Sequence, residues 1–351
     1  MPSLSSHNEL GLSQSNTGAP PAHFGNATDE FAALRSTCGV YNLDDRAKIR
    51  LTGTDRVRWL NGMITNNVRD LAVGQGVYAF LLNPQGHILG DLTAYNRGEY
   101  LLVDTDRSQL DKILATFDHY IIMDDVEVAN VSDQLSAIGL AGPNAESVLG
   151  KTGLEAPHLQ PLQIADNLSW QQTKVTIVRG ERDAFPSYEI WVAPEDAASL
   201  REALQRSGAM LVGQEALEIY RILLGIPVYG KDIRERDLPQ ETEQQRALNF
   251  NKGCYVGQEI VERIRSRGAV HRKFTGFTVT GAAPAPGTKI QVQAKDVGEI
   301  TSSAVLPSPD GEQTVALGYI RREIGVPGKE VEIAGSRAVI TELPFHGLLT
   351  R

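Results

Sequence analysis

Lys252-Gly253-Cys254-Tyr255-Val256-Gly257-Gln258-Glu259 holds one of only two cysteines in a chain of 351 residues. It lies roughly two thirds of the way along. Gly253 and Gly257 bracket the thiol, Lys252 precedes it, and a helix-forming run over Gln258–Arg267 follows. The pattern reads as a tight loop that delivers Cys254 to a helix N-terminus. There the free N–H groups, the helix dipole and a neighbouring ammonium all favour a thiolate. Arg263, Arg265 and Arg267 add positive charge downstream. The same residues also suit a small buried hydrophobe, a common state of free cysteine. From chemistry alone the stretch leaves both roles open. Spacings such as Glu259/Arg263 and Glu262/Ser266 simply suit an exposed helical face.

Composition narrows what such a loop can serve. Hydrophobic residues make up 41% and charged residues 22%, which predicts a soluble globular chain of two or three lobes. A formal charge of −9 argues against bulk nucleic-acid binding, so no stable direct contact with nucleic acid is expected. No apolar run approaches the roughly 20 residues that span a bilayer. Residues 1–25, rich in Ser, Asn, Gly and Pro, lack the features of a signal peptide and read as a mobile tail. Cys38 and Cys254 are far apart without CxxC spacing. This excludes a disulfide framework or a self-sufficient metal or iron–sulfur ligand set, and it predicts a reducing, cytoplasmic setting. A monomer is expected.

Downstream of the loop, short strands near 274–279, 290–292, 298–301, 316–320, 331–333 and 338–340 alternate with Gly/Pro turns, the pattern of a small antiparallel barrel. Upstream, helices and strands alternate irregularly. A helix is expected over 29–38, capped by Thr28 or Asp29, and another over 55–64, capped by Thr54. Strands over 77–82 and 87–95 flank a turn at 83–86, and strands over 174–178 and 188–192 come later. Residues 154–167 read as loop, 215–224 as helix and 229–250 as irregular polar chain. The fold class that follows is α+β: a tail at 1–25, a body of two interleaved α+β lobes at 26–268, and a C-terminal β-barrel at 269–351.

The octapeptide resembles the K-G-C-Y-x-G-Q-E signature of the YgfZ-type folate-binding proteins, relatives of the glycine-cleavage T-protein (aminomethyltransferase). The resemblance runs over about residues 30 to 345. Arg221-Ile222-Leu223-Leu224-Gly225-Ile226-Pro227-Val228-Tyr229-Gly230-Lys231-Asp232-Ile233 is similar to the family's R-x-x-x-G-x-x-x-x-G-x-D-I segment, Leu238-Pro239-Gln240-Glu241 to its P-x-E, and Leu317-Gly318-Tyr319 to its L-G-Y. Membership implies a three-lobed cloverleaf with tetrahydrofolate, or a folate derivative, in a central opening.

Residue by residue, Gly86-His87-Ile88-Leu89-Gly90-Asp91-Leu92 is similar to the T-protein's G-x-x-x-D-D-L. The resemblance makes Asp91 the catalytic carboxylate beside the reacting folate nitrogens, with Gly90 in place of the first Asp. Tyr188-Glu189-Ile190 is similar to G-x-E-I and makes Glu189 a folate ligand, while Arg221 takes the place of the family arginine. The chain departs from the T-protein at Arg179 to Pro186 and at Leu217, where the T-protein has an arginine. Both departures bear on aminomethyl transfer more than on folate binding. The implied function is support of iron–sulfur cluster assembly or repair, and of iron–sulfur-dependent tRNA modification, through Cys254 acting with iron–sulfur proteins or assembly factors. The alternative is a folate-dependent aminomethyltransferase, one-carbon transferase or demethylase that uses Asp91.

Overall fold

Strand periodicity in the N-terminal half produces two sheets, each with one apolar face under helices and one face turned to the other sheet. The protein is described from a computed structural model at residues 21–155, 157–181, 186–268, 270–307 and 311–349. Most of the expected N-terminal tail, and residues 182–185 of the loop that departs from the T-protein, lie outside these.

The first sheet runs in the order Gly76–Leu82, Ile88–Asn96, Leu101–Asp106, Arg46–Thr52, Glu127–Asn130, all antiparallel. Ala47, Ile49, Leu51, Leu92 and Val103 alternate onto one face and pack with Trp59 and Leu60 of the helix Arg56–Met63 and with Ile113 and Phe117 of the helix Leu110–Tyr120. The intervening positions present Arg46, Lys48, Tyr78, Asp91, Tyr95 and Asp104 on the other face.

The second sheet runs Met210–Leu211, Gly39–Asn42, Ser136–Ala141, Ser187–Val192, Thr173–Arg179, Ile164–Trp170, with a parallel pair only between Gly39–Asn42 and Met210–Leu211. Val40, Ile138, Leu140, Ile177 and Ile190 form its own core with Leu200 and Leu204. Its opposite face carries Tyr41, Gly139, Glu189 and Trp191, and Gly139 is obligatory because a Cβ there would meet the Tyr41 ring at 2.1 Å. Tyr95 and Leu102 of the first sheet join Val178 and Trp191 of the second in one apolar cluster, so the two sheets meet face to face.

The last unit is a closed barrel, Arg272–Val279, Gln313–Arg321, Lys295–Leu306, Lys289–Val292, Glu330–Ile333, Ser336–Thr341. Closure removes the sheet edges. The helix Gln214–Leu223 packs its buried Tyr220 and Leu223 with Phe274, Leu317 and Tyr319 of the barrel. The irregular segment before the cysteine loop is less polar in effect than its composition suggests, since Ile233, Ala247 and Leu248 are buried with Phe80 and Ile88.

Three local expectations are corrected. The first helix, Ala27–Ser36, is capped by Asn26, whose Oδ1 accepts the Asp29 N–H at 2.8 Å. Thr54 does not cap the second helix, because its hydroxyl and N–H both donate to Asp125. Residues 154–167 are not all loop: Ile164–Trp170 is a strand whose alternation is masked by a register shift between Ala165 and Leu168 and by Asn167 at φ 56°. No helix among the described residues is long and apolar enough to cross a membrane.

Candidate functional site

The facing sides of the two sheets hold a dense set of charges. Asp104 is buried, accepts from Arg46 Nε at 3.0 Å and forms an ion pair with Lys48 Nζ at 2.9 Å. Burial alone would raise its pKa, but the two cations outweigh that and hold it below the usual range. Lys48 Nζ also lies 3.9 Å from Glu189 Oε2 and 4.6 Å from the centre of the Trp191 ring. Burial works against the charge on Arg46, yet Asp104, Glu189 and Asp91, in that order, raise its pKa overall. Asp91 and Glu189, on different sheets and 98 residues apart (189 − 91), therefore share one electrostatic neighbourhood.

Asp91 is held at every polar atom. Its Oδ2 accepts from the Tyr78 hydroxyl at 2.7 Å and its Oδ1 from Gln109 Nε2 at 2.8 Å. Its backbone N–H donates to Gln109 Oε1 at 2.9 Å, and its carbonyl accepts from the Thr105 hydroxyl at 2.8 Å. Burial first, and the Asp91 carboxylate second, keep Tyr78 protonated far beyond its ordinary range, so it is a fixed donor. The Arg246 guanidinium lies 4.5 Å over the Tyr78 ring and donates to Glu181 at 2.5 Å.

Glu189 is arranged differently. Its Oε2 accepts from Trp191 Nε1 at 3.0 Å, while its Oε1 has no donor among the described residues. Its side chain is 28% exposed.

Arg221 does not join them. Nε and Nη2 donate to Glu218, Nη1 to the Ile226 carbonyl and to Asp232, and Nη2 also to Ser302. These are the five N–H groups a guanidinium has, so none is left for a folate. Asp232, fully buried, accepts in turn from Thr301 and Ser302 of the barrel. The arginine motif thus ties the body to the barrel. The expected ligand role of Arg221 would need one of these bonds to be exchanged.

The cysteine loop is also built differently from the expectation. Lys252 is buried, and its Nζ donates to the carbonyls of Asn61 at 2.5 Å, Ile64 at 2.6 Å and Asn66 at 2.8 Å. The first two belong to the C-terminal turn of the helix Arg56–Met63 and its cap, where a cation complements the dipole. The ammonium also sits 4.9 Å over the Tyr255 ring. Burial, and then Arg69, push the Lys252 pKa down to about 7. None of its N–H groups is left for the thiol. Gly257, at φ 81°, is the N-cap of the helix Gln258–Arg267, so Cys254 precedes the cap by three residues (257 − 254) and is not on the helix tip. A Cβ on Gly257 would meet the Asn83 carbonyl at 2.6 Å, whereas Gly253 has nothing closer than Arg69 at 4.0 Å. Gln258 Oε1 accepts the Tyr255 N–H at 3.3 Å, and Glu259 is exposed. Cys254 itself is exposed and Cys38 is buried, with its thiol pushed up to about 12 by desolvation. No cluster of three or more His, Cys, Asp or Glu able to hold a metal occurs among the described residues.

Sequence reasoning missed Tyr78, Gln109, Lys48 and Trp191. Only Lys48 left a trace, as the charged member of the alternation Arg46-Ala47-Lys48-Ile49.

The GCVT N-terminal domain family matches residues 14–252 of the chain. An aminomethyltransferase of Halothermothrix orenii is 27% identical over 97% of this chain and 97% of the relative. One of Geobacillus kaustophilus is 27% identical over 93% of this chain and 92% of the relative. Among solved structures, the glycine cleavage system aminomethyltransferase T of Bartonella henselae superposes with a TM-score of 0.82 over 91% of this chain and 89% of that one. Its sequence identity is 23%, and the likeness is one of fold.

Proposed function

The chain belongs to the GCVT N-terminal domain family, and from that premise we propose that it binds tetrahydrofolate between its first two sheets and transfers a one-carbon unit to it. The observation that carries this reading is the pair of differently prepared carboxylates on facing sheets. Glu189 keeps Oε1 undonated, which suits the adjacent amino and ring N–H donors of a pterin. Asp91 has both oxygens oriented by fixed donors, which suits a group that must meet one proton in one direction.

Tetrahydrofolate supplies nitrogens that accept a one-carbon unit. Asp91 takes the proton that a folate nitrogen releases on bonding to the carbon. With an aminomethyl donor the carbon carries two heteroatoms before and after transfer. Its bonds to the donor and to the amine break as two bonds to folate nitrogens form; of the two protons the folate nitrogens lose, one completes the departing ammonia and the other goes to the released donor atom, and no oxidant is needed. The test is calorimetric titration with tetrahydrofolate for the wild type and Glu189→Ala, together with an assay for methylene-tetrahydrofolate from an aminomethyl donor. Absence of binding by the wild type overturns the reading.

A second reading is favoured by one feature, the exposed Cys254 in a loop pinned by Lys252. In it the chain is of the YgfZ type, and Cys254 serves as a redox thiol or transient ligand in iron–sulfur cluster assembly or repair, with consequences for tRNA modification. Fe–S clusters are normally held by four protein ligands, so partner proteins or a small thiol supply the others. Full rescue of iron–sulfur enzyme activity by Cys254→Ser in a deletion strain removes this role.

A further inference from the structure

We propose that Gln109 is the positioning residue of Asp91, and that Gly90 is the glycine that admits it. The inference rests on the folate reading for its consequence in catalysis, but not for its geometry.

The hydrogen-bond ladder between Ile88–Asn96 and Leu101–Asp106 runs from Asn96↔Leu101 to Thr93↔Asp104 and stops there. Asp91 lies beyond its end while still paired with Phe80 on the other side. An unpaired backbone group in a buried setting is costly, so both groups of Asp91 need substitutes for the missing strand. Thr105 supplies a hydroxyl to the carbonyl and Gln109 supplies Oε1 to the N–H. The carboxamide then turns its Nε2 onto Asp91 Oδ1, so one planar group fixes the backbone and the carboxylate of the same residue.

Gln109 is 2% exposed and precedes the helix Leu110–Tyr120, so its side chain is confined by packing. The space it uses belongs to position 90. A Cβ on Gly90 would lie 2.8 Å from Gln109 Oε1 and 3.6 Å from the nearest Ile113 atom. A side chain at 90 therefore requires the Gln109 amide to shift from its place on Asp91. Gly90, which reads in the sequence as a loss, is the vacancy that Gln109 fills.

The consequence is for kcat rather than for affinity. Gln109 touches Asp91 and not the ligand-binding oxygen of Glu189. Removing it frees Asp91 to rotate about its side chain, and misorientation of a proton acceptor costs rate. The test uses the full chain, tetrahydrofolate and an aminomethyl donor. Gln109→Met is expected to lower kcat about 10- to 100-fold with the tetrahydrofolate Kd within about threefold. Gly90→Ala, which keeps Gln109 but displaces its amide, is expected to give the same split. The double variant should be no worse than either single, since both remove one interaction. Additive losses, or unchanged kcat in either single variant, overturn the proposal.

A ligand-free readout separates it from the folate reading. In the wild type one Gln109 side-chain amide proton should exchange slowly and shift downfield in NMR spectra, and Gly90→Ala should abolish both features. If the wild type neither binds nor turns over tetrahydrofolate, the folate reading falls and this signature decides the positioning role. Its absence from the wild type overturns that role as well.

Discussion

Asp91 and Cys254 are each held by a buried hydrogen-bonding partner, but the partner acts on different atoms. Tyr78 and Gln109 grip the Asp91 carboxylate itself, fixing the direction in which it can meet a proton. Lys252 grips the backbone of residues 61–66 and leaves the Cys254 side chain exposed and uncommitted. The first arrangement orients a carboxylate. The second prepares a place on the surface and leaves the choice of partner to whatever arrives. The contrast teaches that two motifs of equal sequence salience carry different degrees of chemical preparation.

The comparison breaks most decisively at Asp91. Asp91→Asn is expected to lower one-carbon turnover by about 10²- to 10⁴-fold, the usual yield of general-base catalysis, with tetrahydrofolate still bound in calorimetry. Cys254→Ser is expected to leave that turnover within about twofold. Equal losses in the two variants would merge the regions into one site.

Lys252→Met should cost on the order of 3 kcal/mol in urea unfolding, because it strands three carbonyls and a helix end. A pH series sharpens this. The folded Lys252 pKa is lowered to about 7 from 10.5, so between those values the folded amine lacks the proton that the unfolded chain keeps, and with it one of its three N–H donors. Its contribution to stability therefore rises with pH across that window, and Lys252→Met should flatten the rise. A slope unchanged by the substitution would show that Lys252 is not its source.

Glu189→Gln keeps one acceptor and loses charge, and a weakening of tetrahydrofolate binding by roughly tenfold in calorimetry is expected. Unchanged affinity would take Glu189 out of the ligand set. The smallest effect is a count of thiols. Ellman's reagent should find about one reactive thiol per folded chain and two after denaturation, since Cys38 is buried with its thiol pushed up to about 12 and Cys254 is exposed.

What the sequence disclosed depended on whether the determinants were local. The helix Gln258–Arg267 was legible to the residue, because a glycine N-cap and a polar, charged run are local signals. The barrel strands were legible because turns punctuate them, although Lys295–Leu306 runs well beyond the expected segment through a bulge at Ile300 and Ser302. The strand Ile164–Trp170 was not, because its register shift destroys the period of two. The cloverleaf, and the roles expected of Asp91 and Glu189, came from resemblance, since nothing in either stretch says which face of a sheet meets another. Gln109 left no signal at all. Its role exists only where a strand ladder ends. Lys252 was misread for a related reason: adjacency to a thiol in sequence does not fix the direction of a long side chain, and three carbonyls nearly 190 residues away attract it more strongly.

That separation has a consequence in time. The bonds of Lys252 span 191, 188 and 186 residues, so the carbonyls of Asn61, Ile64 and Asn66 are made long before the group that satisfies them. During synthesis at about 5–20 residues per second, the first sheet and its helix wait on the order of ten seconds or more with that helix end open to water. The cysteine loop cannot be seated until the N-terminal lobe has offered those carbonyls, and the lobe is not sealed until the loop arrives. A seated Cys254 loop therefore requires an N-terminal lobe that already presents those carbonyls.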